Sequence, residues 1–302
     1  DFVKPLFFEK TKSITSKMNS RGGGILDIFL VDKTSDINGY FQIFATFNTV
    51  DAMGANFINS CLEEFSHIFY NSTSLFRNDE LNNNDIEIIM SILSNHVPNC
   101  IVKSVVSCNI NELNNLEPKT ENFAERLVKA IEIANNDIYR AVTHNKGIMN
   151  GVDAVALATG NDFRAIEASA HAYASIGGYK SLSNAYIMND MFYFELKLPL
   201  AIGTVGGVTS LHPLVKIALE ILDNPDSKEL MKIIASAGLA QNFGALRSLV
   251  TTGIQKGHMK MHLTNLLNKY DVTELEKQKA IEYFKNKSVS SSSVDSFIQK
   301  LR

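Results

Sequence analysis

Residues 25–50 read ILDIFLVDKTSDINGYFQIFATFNTV. Ile25–Val31 is apolar apart from Asp27. Asp32–Gly39 is polar and closes on Asn-Gly. Tyr40–Val50 alternates apolar and polar residues. This is the pattern of two antiparallel strands joined by a turn. Upstream, residues 6–20 have weak helical character and run into Arg21-Gly-Gly-Gly24. Downstream, a helix is expected after Asp51, because Phe57, Ile58, Cys61, Leu62, Phe65, Ile68 and Phe69 recur three and four apart. A polar loop (71–86) precedes a further strand at Ile101–Cys108. Helix, hairpin, helix, strand is a split βαβ, ferredoxin-like order that lacks its first strand. A sheet without that strand leaves an edge unpaired. The expectation is therefore that the sequence begins inside a domain, with residues missing upstream of Asp1.

Beyond the hairpin, Asn109–Thr120 is polar and linker-like. Glu121–Asn135 reads as a helix with Phe123, Leu127, Ala130, Ile131 and Ala134 on one face. Met191–Pro199 reads as a strand, Gly203–Thr209 as a Gly-rich turn and Pro213–Leu222 as a helix. Asp226-Ser-Lys-Glu229 has the spacing of a capping box, opening a long helix to about Thr252. Gly253–Gly257 breaks it. Residues 258–302 form a charged helical tail in which Ser290–Ser293 reads as a hinge or loop. Three units are expected: 1–108, 109–252 and 253–302.

With 45% hydrophobic and 20% charged residues, the 302-residue chain has the composition of a soluble globular protein. Its net charge of −3, with no basic stripe, argues against a nucleic-acid partner. Apolar runs reach only about ten residues, too short to span a bilayer. Cys61, Cys100 and Cys108 form no CxxC pair and read as reduced thiols, which suits the cytoplasm.

Polar groups that could do chemistry concentrate in Tyr139–Ala174, YRAVTHNKGIMNGVDAVALATGNDFRAIEASAHAYA. Lys146 stands between turn-like residues, followed by Asn150-Gly151. It reads as an exposed loop lysine or as a cation held in a partly dry pocket. Asp162 follows Gly160-Asn161 and opens an Ala-rich helix, as an N-cap or a functional corner. His144 and His171 lack metal-ligand spacing. His258 and His262 are four apart but have no third ligand, so no metal is expected. Asp51-Ala-Met-Gly-Ala-Asn56 starts a helix directly after a strand, where Gly54 permits close approach and free N–H groups suit a phosphate. Nothing matches a GxGxxG, GxSxG or P-loop pattern.

Six segments in this order carry a resemblance. Asp51–Asn56 (DAMGAN), Thr143–Gly151 (THNKGIMNG), Ala158–Ala172 (ATGNDFRAIEASAHA), Gly203–Thr209 (GTVGGVT), Gly238–Asn242 (GLAQN) and Gly253–Met259 (GIQKGHM) resemble the motif series of the 3-hydroxy-3-methylglutaryl-coenzyme A (HMG-CoA) reductases, class II form. The resemblance implies an α+β fold. In it a ferredoxin-like cofactor domain is inserted in a larger helix-rich substrate domain, with a small helical C-terminal flap. It implies a four-electron, NADPH- or NADH-dependent interconversion of HMG-CoA with mevalonate and coenzyme A, by a cytoplasmic homodimer with active sites between subunits. By the same resemblance Lys146 holds the carbonyl oxygen, Asp162 bonds that lysine and His258 protonates the departing thiolate. Arg140 and Asn150 grip the acyl group, and Asp51, Met53, Gly54 and Asn56 belong to the cofactor segment.

Two departures stand out. The family uses a catalytic Glu in an upstream Glu-Asn-Val-Ile-Gly-type segment that this sequence lacks. A fragment of a longer enzyme is expected; the alternative is a non-catalytic CoA- or nucleotide-binding remnant. Some members also carry an Asp before the Gly-rich strand, suited to the NADH ribose. Here Ser13-Ile-Thr-Ser-Lys17 stands instead, with no carboxylate; Lys17 could accept a 2′-phosphate, and NADPH is expected to be usable.

Overall fold

The computed structural model describes residues 3–73, 86–253, 262–270, 272–285 and 287–301. Two short helices open it, α1 (Lys4–Lys10), begun by Pro5, and α2 (Lys12–Asn19). The expected hairpin follows as β1 (Gly24–Asp32) and β2 (Phe41–Asn48), antiparallel, with a register shift between Ile25 and Asp27. Helix α3 (Ala55–Thr73) buries Cys61, Phe65 and Ile68 against Phe7 of α1 and Ile28 of β1, a small core of its own.

β3 (Ile101–Asn109) departs from the sequence reading. It was expected to close the first unit. Instead it pairs antiparallel with β5 (Met191–Pro199), from Ile101 opposite Pro199 to Asn109 opposite Met191. β4 (Ser183–Met188) takes the other side of β5, giving the order β3–β5–β4. The strand therefore lies outside the β1–β2 sheet, and a boundary at 108 would cut it. The physical reason is β5, whose alternating Phe192, Phe194, Leu196 and Leu198 are buried. A buried central strand needs a partner on both edges.

Helices cover that sheet: α4 (Ile110–Asn115), α5 (Phe123–Asn136), α6 (Ile138–Ala158) and α7 (Phe163–Ala174) before β4, then α8 (Val208–Leu211), α9 (Pro213–Ile221) and α10 (Ser227–Val250) after β5. Phe123, Leu127 and Ile131 of α5, Ile148 and Val152 of α6, Ile166 of α7, and Leu230 and Ile234 of α10 form the main core with β5. The capping box at Asp226 and Glu229 opens α10 as expected.

Helix α6 corrects a second reading. Lys146-Gly147 and Asn150-Gly151 are not turns; they lie within one continuous 21-residue helix. A Cβ on Gly151 would stand 2.5 Å from the Ala237 carbonyl oxygen, and one on Gly238 would stand 2.8 Å from Val152 Cγ2. Glycine is there so that α6 and α10 can touch backbone to backbone. That contact offsets the roughly 1 kcal/mol that glycine costs inside a helix.

After residues 262–267, which are helical, come α11 (Glu274–Phe284), with a capping box of Thr273 and Glu276, and α12 (Ser291–Leu301). They enclose a separate core around Leu267, Ala280, Phe284 and Val294. The Ser290–Ser293 run is not a hinge. Ser290 Oγ accepts from the Ser293 N–H while Ser293 Oγ accepts from the Ser290 N–H, so the run starts α12. Among the described residues no helix is long and apolar enough to cross a membrane.

Candidate active site

Helix α6 carries three of the candidate residues. At about 100° per residue, Lys146, Asn150 and Asp153 fall within about 60° of arc on one side. Lys146 and Asn150 are exposed, and Arg140 is half-buried about 120° around the helix from Lys146. Burial lowers the Arg140 pKa, against the opposing charge of Asp137.

Asp162 caps α7. Its carboxylate accepts from the backbone N–H of Arg164 at 3.1 Å and of Ala165 at 3.3 Å, and pairs with the Arg164 guanidinium at 3.2 Å. Burial works to raise the Asp162 pKa, but the Arg164 side chain and the two backbone donors outweigh it and hold the carboxyl below its usual range. Among the described residues, the ion pair of Asp162 is with Arg164; none joins it to Lys146.

Asn161 links this corner to the cofactor segment. Its Oδ1 accepts from the Gly203 N–H at 2.8 Å. A Cβ on Gly203 would stand 2.5 Å from the Met53 nitrogen and 3.0 Å from Ala52, so the Gly-rich turn lies directly against the Asp51–Asn56 segment. Asp51 ties the same parts together. Its carbonyl accepts from Thr204 and Val205, and its carboxylate from the Ser227 N–H at the start of α10. Val50, just before it, is held at φ 50°, a conformation that strains a β-branched residue. Gly54, at φ +85°, turns the chain into α3. Asn56 shares a cavity of about 320 Å³ with Lys17 and Arg21, Ile14 and Met18 of α2, and Phe57 and Ser60 of α3. His258 lies outside the described residues.

Two arrangements escaped the sequence reading. The Asp153 and Glu167 carboxyls face each other across α6 and α7. Burial first, then the hydrogen bond and charge of Glu167, push Asp153 up to about 7. His171 extends the group, with Nε2 4.0 Å from Glu167 Oε2 and Nδ1 2.7 Å from the Tyr179 hydroxyl. On the opposite side of α6, His144 Nε2 lies 2.7 Å from Ser183 Oγ, which donates to Asn242 Oδ1 at 2.8 Å. Asn242 closes the Gly238–Asn242 motif, the one local signal that pointed to it.

Known proteins resemble this chain in sequence and fold. A family model for hydroxymethylglutaryl-coenzyme A reductase matches residues 4–263. The chain is 34% identical over 280 residues to a 3-hydroxy-3-methylglutaryl-coenzyme A reductase of Archaeoglobus fulgidus, covering 92% of this chain and 61% of that one. It is also 34% identical over 275 residues to a probable reductase of the same name from Borreliella burgdorferi, covering 89% and 60%. The chain thus spans about three fifths of the length of these curated relatives. Among solved structures, the class II reductase of Streptococcus pneumoniae bound to NADPH superposes with a TM-score of 0.72 at 34% identity, over 99% of this chain and 70% of that one.

Proposed function

The chain belongs to the hydroxymethylglutaryl-coenzyme A reductase family, and we propose that it serves that family's reaction, the four-electron, NAD(P)H-dependent interconversion of HMG-CoA with mevalonate and coenzyme A. The observation that carries this reading is the joined corner. Lys146 and Asn150 stand on one side of α6, Asp162 caps α7, and the Asn161–Gly203 bond ties that corner to the Asp51–Asn56 segment.

The residue types suit the chemistry. Reducing a thioester carbonyl builds negative charge on its oxygen. A fixed ammonium there stabilises the transition state more than the ground state, and Lys146 has that role. Asp162, with its charge held by Arg164 and two backbone N–H groups, orients the lysine when substrate is bound. Arg140 and Asn150 grip the acyl carboxylate and hydroxyl, as guanidinium and amide groups do well. His258, outside the described residues, protonates the departing thiolate, for which an imidazole is suited.

The cavity beside α2 fits a phosphate-bearing cofactor, because Lys17 and Arg21 bring two cations to a space shared with Asn56. Lys17 and Arg21 would hold a phosphate of NADPH there, and the cofactor would supply the hydride. The same two cations support NADPH over NADH. The homodimer reading is supported by large apolar side chains left exposed on the same side of α6 as Lys146, two and three turns away, with Tyr139 at 85% and Leu157 at 56%.

The test is HMG-CoA-dependent oxidation of NADPH by the purified natural protein that contains this chain, repeated with NADH. The expected result is turnover that needs both substrates and is faster with NADPH. Binding of both without oxidation identifies a non-catalytic binder, and failure to bind either ends the reading. A strong preference for NADH ends the assignment of Lys17 and Arg21.

A further inference from the structure

His144 is buried, at 2% exposure, in the middle of α6. Its Nε2 lies 2.7 Å from Ser183 Oγ. The Ser183 hydroxyl has one hydrogen, and it goes to Asn242 Oδ1 at 2.8 Å. Ser183 can therefore only accept from the ring, so Nε2 carries the ring hydrogen. The ring is neutral, since burial first and the charge of Arg140 second push its pKa down to about 4. A neutral ring protonated at Nε2 presents a bare lone pair at Nδ1. That Nδ1 is buried and has no hydrogen-bond partner. Native interiors rarely leave such an acceptor idle.

A donor lies one turn away on the helix. Arg140 is four residues earlier, hence one turn away on the same side of α6. It is the charge that acts on the His144 ring. Its guanidinium has five N–H donors, and among the described residues only the charge of Asp137 acts on it from elsewhere on the helix. We infer that His144 is a positioning residue for Arg140. When Arg140 takes hold of a small carboxylate, one guanidinium N–H is donated to His144 Nδ1, which fixes the fork so that its remaining donors meet the carboxylate side by side. Ser183 and Asn242 select the tautomer that makes Nδ1 an acceptor. The opposite tautomer would turn a donor toward a donor, and an imidazolium would repel the guanidinium. This inference rests on the reading of Arg140 as an acyl-carboxylate residue.

Two substitutions separate the two ring nitrogens. The amide of His144→Gln reaches the Nε2 position and still donates to Ser183, but leaves no acceptor near Nδ1. His144→Asn puts an amide oxygen where Nδ1 was and gives up Ser183. Calorimetric titration of the full chain with 3-hydroxy-3-methylglutarate, alongside melting curves, reads both. The expected result is binding about tenfold weaker in H144Q with Tm kept, as for one lost charge-assisted hydrogen bond. H144N is expected to keep its affinity within about threefold while its Tm falls. Equal losses of affinity that track Tm in both variants, or full affinity in H144Q, would overturn the inference. Ring ¹⁵N NMR of the ligand-free chain adds a readout that needs no ligand. The His144 Nδ1 resonance should be unprotonated, and because the Arg140 charge acts on the ring it should move in Arg140→Ala. A protonated or unmoved Nδ1 overturns the inference. If the wild type binds no dicarboxylate at all, the reading of Arg140 falls, and the NMR result decides His144 alone.

Discussion

Helix α6 meets α10 on one side and α7 on the other, and the two contacts are built on opposite terms. Against α10, Gly151 and Gly238 let the backbones touch, and the polar groups between them form a neutral hydrogen-bonded relay through His144, Ser183 and Asn242. Against α7, two carboxyls face each other, Asp153 Oδ1 lacks a partner, and Asp153 is pushed up to about 7. The first contact fixes the helix. The second keeps an unfavourable charge beside the exposed side that carries Lys146 and Asn150. The difference teaches that one helix can be anchored by one side and held under tension on the other, and tension is what a site that handles charge tends to retain.

The contrast can be broken most severely at the glycine contact. Gly151→Ala drives a methyl group into the Ala237 carbonyl, which is backbone and cannot turn aside. A loss of about 3 kcal/mol is expected, read by chemical denaturation. A neutral result would mean that α6 and α10 can separate freely.

Acid tests the same side next. His144 has a folded pKa of about 4 against an unfolded value near 6.5. The folded state therefore binds fewer protons between these values, and the contribution present above pH 6.5 is lost as pH falls toward 4. The full shift corresponds to about 3 kcal/mol. The acid loss should be visibly shallower in H144Q, compared by urea titrations at several pH values. Identical slopes would place the acid sensitivity elsewhere.

The α7 side runs the other way and is smaller. The folded pKa of Asp153, about 7, lies above its unfolded 3.8, so its contribution is present below pH 3.8 and lost as pH rises through 7. Asp153→Asn should remove that decline. Because the Asp153 side chain is only partly buried, screening limits the gain to about 1 kcal/mol at pH 8. A destabilised variant would show that the carboxyl pair holds the helices together rather than apart.

What was legible in the sequence was local. The period of two in Met191–Pro199, the three- and four-residue spacing in α3 and the Asp226–Glu229 box each specify their element without help from distant residues. The turn reading of Lys146-Gly147 and Asn150-Gly151 failed because glycine punctuates loops and also marks close helix contacts, and only α10, some 90 residues on, decides which. The partner of β3 was hidden for the same reason, since its pairing with β5 spans most of the second unit. The corner at Asp162 was visible as a helix cap. The Asp153–Glu167 pair and the His144 relay were not, because each joins residues with no shared local pattern.

The account turns on Lys146, and its replacement by alanine tests it most directly. In the HMG-CoA-dependent oxidation assay, Lys146→Ala should lower turnover by at least about a hundredfold, as for loss of a donor to a developing oxyanion. Its Tm and its affinity for HMG-CoA should stay close to wild type, because the side chain is exposed on α6 and packs into no core. Turnover within a few fold of wild type would contradict the account.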